Sequence, residues 1–170
     1  VRIGYATVLK LLRAGATVYT TTRFPNDAAH RYSQEEDFAE WAHRLSVVGP
    51  LELSNIRLVE QFCDALLATL PRLDVLINNA GILIPTAADA AEETANLEAM
   101  MDLHLHSPLR LIDALLPVLQ ASSQPKIVSM ISMAAFASVP GCEGYCTSKA
   151  ALHAATQGLR LKHPKIHCVG

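Results

Sequence analysis

Short apolar runs alternate along this chain with longer amphipathic stretches. Residues 17–22 (TVYTTT), 73–77 (LDVLI) and 126–132 (KIVSMIS) are rich in β-branched and other apolar residues, which favours strands. The stretches between them repeat apolar residues at the spacing of a helix. Strands that are apolar almost throughout are typical of parallel sheets covered on both faces. The pattern therefore predicts an α/β fold in three layers, α/β/α, with helices on both faces of a parallel sheet.

The predicted elements follow from this periodicity and from turn residues. The chain of 170 residues is predicted to form one domain, residues 1–170. Pro25, Asn26 and Asp27 predict a loop over residues 24–34. Helices are predicted at 4–14, 35–45, 56–70, 92–119 (with a kink near Pro108) and 145–162, and strands at 17–22, 46–53, 73–77, 126–132 and 165–169.

Composition excludes several classes of function. The net charge is −2 with both signs mixed along the chain, which argues against nucleic acid or an anionic membrane as the main partner. No apolar run approaches the roughly 18 residues of a membrane span, and no leader is visible, so we expect a cytoplasmic protein. Its cysteines are expected to be reduced thiols, since no two have the spacing of a zinc or redox motif: Cys63, Cys142, Cys146 and Cys168.

Tyr145 and Lys149 lie four residues apart in a predicted helix and should project from one face. A lysine ammonium held beside a phenol favours the phenolate, and such a tyrosine can exchange a proton with an alcohol or carbonyl near neutral pH. Taken alone, this spacing fits an ordinary helix surface equally well.

Ser132 stands thirteen residues before Tyr145, at the end of the predicted strand 126–132. Ligands of α/β sheets bind beyond the carboxyl ends of the strands, where a serine can hydrogen-bond a substrate oxygen. A hydroxyl that only terminates the strand is the alternative.

Residues 78–81, Asn-Asn-Ala-Gly, follow directly after the apolar run 73–77. Small residues let a ligand approach the backbone closely, and the two amides can bond a ligand or the next loop. The alternative is a simple turn.

In this order and spacing, the chain resembles the short-chain dehydrogenase/reductase family. The matching pieces are Arg-Ile-Gly at 2–4, Asn-Asn-Ala-Gly at 78–81, Ser132, and Tyr-Cys-Thr-Ser-Lys at 145–149. The resemblance implies a doubly wound, Rossmann-type parallel sheet that binds NAD(H) or NADP(H), and an oxidoreductase that interconverts an alcohol and a ketone or aldehyde. It also implies that Tyr145 is the acid/base, that Lys149 tunes it and holds the nicotinamide ribose, and that Ser132 orients the substrate oxygen.

The resemblance also implies cofactor contacts spread along the chain. Gly4 matches the last glycine of the family's glycine-rich turn, whereas Arg2 stands where its middle glycine is usual. The family's first strand is missing, and both ends of the chain look cut, so we expect a fragment of a longer chain. The implied cofactor-binding residues are Ile3, Gly4, Arg23, Glu52, Leu53, Asn79, Ala80, Gly81, Tyr145 and Lys149.

Arg23 follows the predicted strand 17–22, where NAD-binding members of the family place an acidic residue. The planar guanidinium pairs well with phosphate oxygens, so Arg23 favours NADP(H), with its 2′-phosphate, over NAD(H). Glu52 stands where the family often has an aspartate that touches the adenine.

His104 falls where the family has an asparagine that continues a proton relay to the lysine. The histidine could bind a water, or the relay could be weakened. The pair His104 and His106 has no evident further ligands, so no metal is expected. We expect a small-molecule carbonyl or alcohol as substrate, and a homo-oligomer is possible through the helices 92–119 and 145–162.

Two other functions remain open. The chain could be a nucleotide-binding or regulatory remnant of this fold, as the missing start, Arg2 and His104 suggest. It could also be a related enzyme of nucleotide sugars, although that group usually lacks the turn at 78–81.

Overall fold

The computed structural model describes residues 3–170. They form two compact units, one ending at Glu52 and the other beginning at Leu53. Each unit is an α/β arrangement with parallel strand pairing. Across residues 3–170, no helix combines the length and the apolar composition that a bilayer crossing requires.

The first unit contains a parallel pair of strands and a layer of helices. Strand β1 pairs with β2 so that Val18 lies opposite Leu45 and Thr21 opposite Val48. Its elements in chain order are α1 (Ile3–Arg13), β1 (Val18–Thr21), α2 (Pro25–Ser33), α3 (Phe38–Trp41), a 3₁₀ turn (Ala42–Arg44) and β2 (Leu45–Val48).

Aromatic side chains join the helices of the first unit. The rings of Tyr5 and Tyr32 stack with their centroids 4.8 Å apart, and Trp41 meets Tyr32 edge-on at 6.4 Å. Leu12 and Trp41 are almost completely buried in this cluster. Gly15 follows the end of helix α1 by two residues, and its φ of +92° is a conformation that a side chain disfavours.

The second unit contains a three-stranded parallel sheet in the order β3-β4-β5, with Asn78 opposite Ser129. Its elements are α4 (Ile56–Thr69), β3 (Val75–Asn78), α5 (Ala90–Met101), a π-helical turn (Asp102–His106), α6 (Ser107–Gln120), β4 (Lys126–Ser129), a 3₁₀ turn (Met133–Ala135), α7 (Glu143–Lys162) and β5 (His167–Val169).

Apolar faces of α4, α6 and α7 pack with the sheet to form the core of the second unit. Ile112, Leu119 and Ile127 are at most 1% exposed within this cluster. The apolar spacing that predicts these helices is therefore the spacing of buried residues.

Three predicted elements of the first unit differ from the structure, and one of them is the strand predicted at 46–53, which is β2 and ends at Val48, before Gly49 and Pro50. Residues 24–34 were predicted as a loop, but Pro25–Ser33 form helix α2. Proline fits the first turn of a helix because its missing N–H has no partner there in any case. The predicted helix 35–45 is reduced to the short α3 and a 3₁₀ turn, and β2 already begins at Leu45.

Near Pro108, where a kink is predicted, the structure has a π-helical turn that ends two residues before the proline. Asp102–His106 separate α5 from α6, and Pro108 lies in the first turn of α6. Single π turns inside helices occur frequently at functional sites.

Candidate active site

Helix α7 presents Tyr145 and Lys149 on the same face. Lys149 Nζ lies 5.8 Å from the centroid of the Tyr145 ring. Tyr145 is half-buried, whereas Lys149 is only 4% exposed. The structure thus brings together the two side chains that the four-residue spacing placed on one face.

The ammonium of Lys149 is fixed by a backbone carbonyl. Nζ donates a hydrogen bond of 2.8 Å to the carbonyl oxygen of Met130, just after β4. Burial lowers the pKa of Lys149, because removal from water disfavours the charged form. An ammonium has three donors and Met130 accepts only one of them, so two can serve a ligand.

Ser132 lies three residues beyond the end of β4, because that strand stops at Ser129 and not at residue 132 as predicted. Its Oγ accepts a hydrogen bond of 3.2 Å from the amide of Ala134 and caps the 3₁₀ turn that follows. That turn packs against α7. Ser132 also lines an open groove of about 410 Å³ beyond the carboxyl ends of β4 and β5.

The loop after β3 approaches Lys149 and His104 at Gly81. A Cβ atom on Gly81 would lie 3.1 Å from His104 Nε2 and 3.6 Å from Lys149 Nζ. Asn79 is half-buried and Ala80 exposed in the same loop. The turn at 78–81 and the lysine of α7, which the sequence separates by almost seventy residues, are neighbours in the structure.

His104 is 1% exposed in the π-helical turn, and both of its ring nitrogens have partners. Nε2 accepts a hydrogen bond of 3.0 Å from the amide of Ile82, and Nδ1 lies 2.8 Å from Ser148 Oγ. The imidazole also meets the Tyr145 ring edge-on, with centroids 5.6 Å apart. His106, in contrast, pairs with the exposed carboxylate of Asp102 at 2.9 Å.

The first unit carries the predicted cofactor residues Ile3, Gly4, Arg23 and Glu52. Ile3 and Gly4 begin helix α1, and Arg2 lies outside the described residues. Arg23 is exposed just after β1, where its Nη1 lies 3.6 Å from Glu52 Oε2 and its guanidinium lies 5.5 Å from the ring of Phe24.

Leu53 begins the second unit and packs against its hydrophobic core. The backbone oxygen of Leu53 accepts a hydrogen bond from Ser107 Oγ at the start of α6.

The family model for short chain dehydrogenases matches residues 2–168. The chain belongs to the short-chain dehydrogenase family. The Rossmann-like α/β fold predicted from the sequence is confirmed by solved members of the family. One from Streptomyces avermitilis is 28% identical and superposes with a TM-score of 0.82. The match covers 98% of this chain and 58% of the Streptomyces chain.

Relatives of this chain include named reductases. A tropinone reductase homolog from Datura stramonium is 31% identical over 167 residues, which cover 96% of this chain and 59% of the relative. A rhamnolipids biosynthesis 3-oxoacyl-[acyl-carrier-protein] reductase from Pseudomonas aeruginosa is 35% identical over 89% of this chain and 59% of its own. The chain therefore spans about three fifths of the length of these two relatives.

Solved relatives contain nicotinamide dinucleotides. The complex of Pseudomonas aeruginosa RhlG with NADP is 27% identical, covers 98% of this chain and 66% of its own, and superposes with a TM-score of 0.84. In this chain, Gly81 offers no side chain beside Lys149 Nζ, and the ammonium has donors beyond the one that Met130 accepts. A close backbone and a fixed ammonium fit the hydroxyl-rich ribose of such a cofactor.

Three groups at this site were not predicted from the sequence: the carbonyl of Met130, the amide of Ile82 and the hydroxyl of Ser148. The two backbone groups carry no side-chain signal at all. Ser148 gave a weak signal, as a small polar residue between two candidate residues in a helix, and the structure shows it to be fully buried.

Burial and the charge of Lys149 lower the pKa of His104 to about 4. The ordinary histidine pKa is about 6.5, so the unfolded chain takes up a proton between these values and the folded chain does not. We expect the free energy of unfolding to fall as the pH is lowered from 7 to 5, by roughly 2 kcal/mol from this residue. Urea denaturation at both pH values measures the change.

His104→Gln is the control for this pH dependence, because its amide does not titrate. The variant should lose the His104 part of the slope. A parent and a variant with equal slopes between pH 5 and 7 would show that the folded protein protonates His104 normally.

Proposed function

We propose that this chain is part of an NADP(H)-dependent oxidoreductase that interconverts an alcohol and a ketone or aldehyde. The observation that carries this proposal is the buried ammonium of Lys149, held 5.8 Å from the Tyr145 ring centroid and bonded to the carbonyl oxygen of Met130, two residues before Ser132. A cation fixed next to a phenol suits proton transfer to and from a substrate oxygen.

In the reducing direction, Tyr145 donates its phenolic proton to the carbonyl oxygen. Lys149 stabilises the phenolate that remains, because its ammonium, itself only 4% exposed, lies near the ring. NADPH, when bound, would supply the hydride for the carbonyl carbon. Oxidation of an alcohol reverses the proton transfer, and Tyr145 then accepts the hydroxyl proton.

Ser132 is proposed to hold the substrate oxygen. Its Oγ already accepts the amide of Ala134, and a hydroxyl keeps one proton to donate. The local hydrogen bond therefore orients the serine oxygen, and its O–H is the group that we assign to the substrate.

The surroundings of Ser132 favour a substrate with an apolar body. Met133 is 88% and Phe136 is 69% exposed, and both line the groove that contains Ser132. Contact with an apolar substrate would remove this surface from water. A small-molecule carbonyl compound with an apolar body fits this lining of the groove. Reduction of a carbonyl also agrees with the names of the related reductases.

Arg23 is the proposed determinant of the preference for NADP(H). It is an exposed cation two residues after β1, and its Nη1 lies 3.6 Å from Glu52 Oε2. A charge-assisted hydrogen bond to a 2′-phosphate would be absent with NAD(H).

Arg23→Ala is expected to raise the KM for NADPH by about 10- to 100-fold, the value of a hydrogen bond between charged groups, and to leave the KM for NADH nearly unchanged. Initial rates with both cofactors measure the two constants. Arg72→Ala is a matched control, since Arg72 is equally exposed and also paired with a carboxylate. Equal changes for NADPH and NADH would show that Arg23 does not read the 2′-phosphate.

Fluorescence titration of the full-length protein with NADPH and NADH, followed by assay against a panel of aldehydes and ketones, tests the function as a whole. We expect tighter binding of NADPH and its consumption with at least one carbonyl. The second candidate is a nucleotide-binding remnant, favoured by His104 in place of the usual asparagine. Binding of NADPH with no turnover across the panel would support the remnant instead.

A further inference from the structure

His104 links two segments that are distant in sequence. Its imidazole accepts a hydrogen bond from the amide of Ile82, in the loop after β3. On the other side, the ring contacts Ser148 of α7. Ser148 in turn donates a hydrogen bond of 2.8 Å to the backbone oxygen of Tyr145. One buried side chain thus joins the loop that contains Asn79, Ala80 and Gly81 to the helical turn that carries Tyr145 and Lys149.

The donors and acceptors around His104 select one tautomer. Nε2 accepts from Ile82, so it bears no hydrogen, and the ring hydrogen of a neutral imidazole is then on Nδ1. Nδ1–H donates to Ser148 Oγ, and the serine O–H is then free to donate to the backbone carbonyl oxygen of Tyr145. Every donor in this series of hydrogen bonds then meets an acceptor.

We propose that His104 is a positioning residue that, as the neutral Nδ1–H tautomer, fastens the loop after β3 to the turn of α7 that carries Tyr145 and Lys149. Its effect on catalysis rests on the proposed function, whereas its tautomer and its two hydrogen bonds do not. The asparagine that is usual in the family at this position has a shorter side chain, so the histidine is a distinct way of filling the site.

The surroundings explain why an imidazole fits here. The π-helical turn adds a residue to the helix between α5 and α6, and His104 is the buried residue of that turn. Gly81 faces the ring without a side chain, and the edge of the Tyr145 ring meets it on another side. Two ionisable side chains of α7 face the imidazole within the described residues: Lys149, whose charge acts on it, and Tyr145, whose ring contacts it. A positive charge on the ring would oppose the ammonium of Lys149.

Two conservative variants separate the two links. In His104→Gln, the amide oxygen reaches about as far as Nε2 and can keep the bond to Ile82, but nothing replaces Nδ1. In His104→Asn, the amide nitrogen lies near the position of Nδ1 and can keep the bond to Ser148, but the side chain is too short for Ile82. His104→Leu removes both links.

The kinetic expectation follows from the segment that each variant releases. His104→Asn frees the cofactor loop and should chiefly raise the KM for NADPH. His104→Gln frees the turn with Tyr145 and Lys149 and should chiefly lower kcat. Misplacement of about 1 Å at a reacting group costs up to roughly 100-fold in rate, so we expect changes of about 10- to 100-fold and both effects in His104→Leu.

The tautomer is tested in the full-length parent protein by long-range ¹H–¹⁵N correlation spectra of the histidine rings at pH 7. We expect the His104 signals to show a protonated Nδ1 and an unprotonated Nε2, and His104→Gln identifies them by their disappearance. A neutral Nε2–H ring or an imidazolium would overturn the proposal. The tautomer is read from the parent protein, and the variant is needed only to assign the signals.

The outcomes separate this proposal from the proposed function. The expected tautomer in a protein that reduces no carbonyl would leave the fastening intact and reject the reductase. The positioning role would be rejected, and the reductase kept, by a different result. In that result, turnover depends on Tyr145, but His104→Asn and His104→Gln show the same ratio between the rise in KM and the fall in kcat.

Discussion

Tyr145→Phe is expected to lower kcat for carbonyl reduction by about 10²- to 10⁴-fold, the usual contribution of a positioned general acid. The phenylalanine ring can keep the edge-on contact with His104 and the approach of Lys149, because neither contact uses the hydroxyl. Binding of NADPH should therefore change little. Steady-state rates and a fluorescence titration of the same preparation measure the two effects.

Tyr19→Phe is the control for the loss of a phenolic hydroxyl. Tyr19 is an exposed tyrosine of β1, and its replacement should leave kcat unchanged. Retention of near-parental kcat by Tyr145→Phe on the best substrate would show that another group donates the proton.

Lys149→Met is expected to remove most of the activity and leave the protein at least as resistant to heat as the parent. The ammonium is 4% exposed, and burial already lowers its pKa, so its charge opposes folding. Methionine fills similar space without that charge, although Met130 loses a hydrogen-bond donor. Opposite effects on rate and on stability are the mark of a residue kept for chemistry.

Thermal unfolding at several pH values measures the stability of Lys149→Met. The folded pKa of Lys149 lies below its unfolded value, so the parent gains stability as the pH rises through that folded pKa. The advantage of the variant should narrow over the same range. In addition, the pKa of His104 should rise from about 4, because Lys149 is one of the two causes that lower it. A variant that unfolds well below the parent at neutral pH would contradict this explanation.

The main contacts of the second unit could be predicted because they depend on simple periods. Four residues in a helix bring Tyr145 and Lys149 to one face, and apolar runs such as 126–132 indicate a buried parallel strand. The same period fails for short elements with capping residues. Helix α2 was missed because Pro25 looks like a loop residue, although it is also a favourable first residue of a helix.

The finer geometry of the site could not be read from residue types. The partner of Lys149 is a backbone oxygen, and so is the acceptor of Ser148. Counting along the chain located His104, yet its two hydrogen bonds depend on how a π-helical turn aims the ring at a loop 22 residues earlier. Ser132 was placed at a strand end, whereas β4 stops at Ser129 and the serine caps a 3₁₀ turn.

Transfer of deuterium tests most directly whether Tyr145 and Lys149 serve carbonyl reduction. The full-length protein is supplied with NADPH that carries deuterium at both C4 positions of the nicotinamide and with the best carbonyl of the panel, and the alcohol is analysed by mass spectrometry. We expect one deuterium on the carbinol carbon with the parent protein and almost no alcohol with Tyr145→Phe. An unlabelled alcohol, or equal yields of labelled alcohol from parent and variant, would contradict the proposed roles of the cofactor or of the tyrosine.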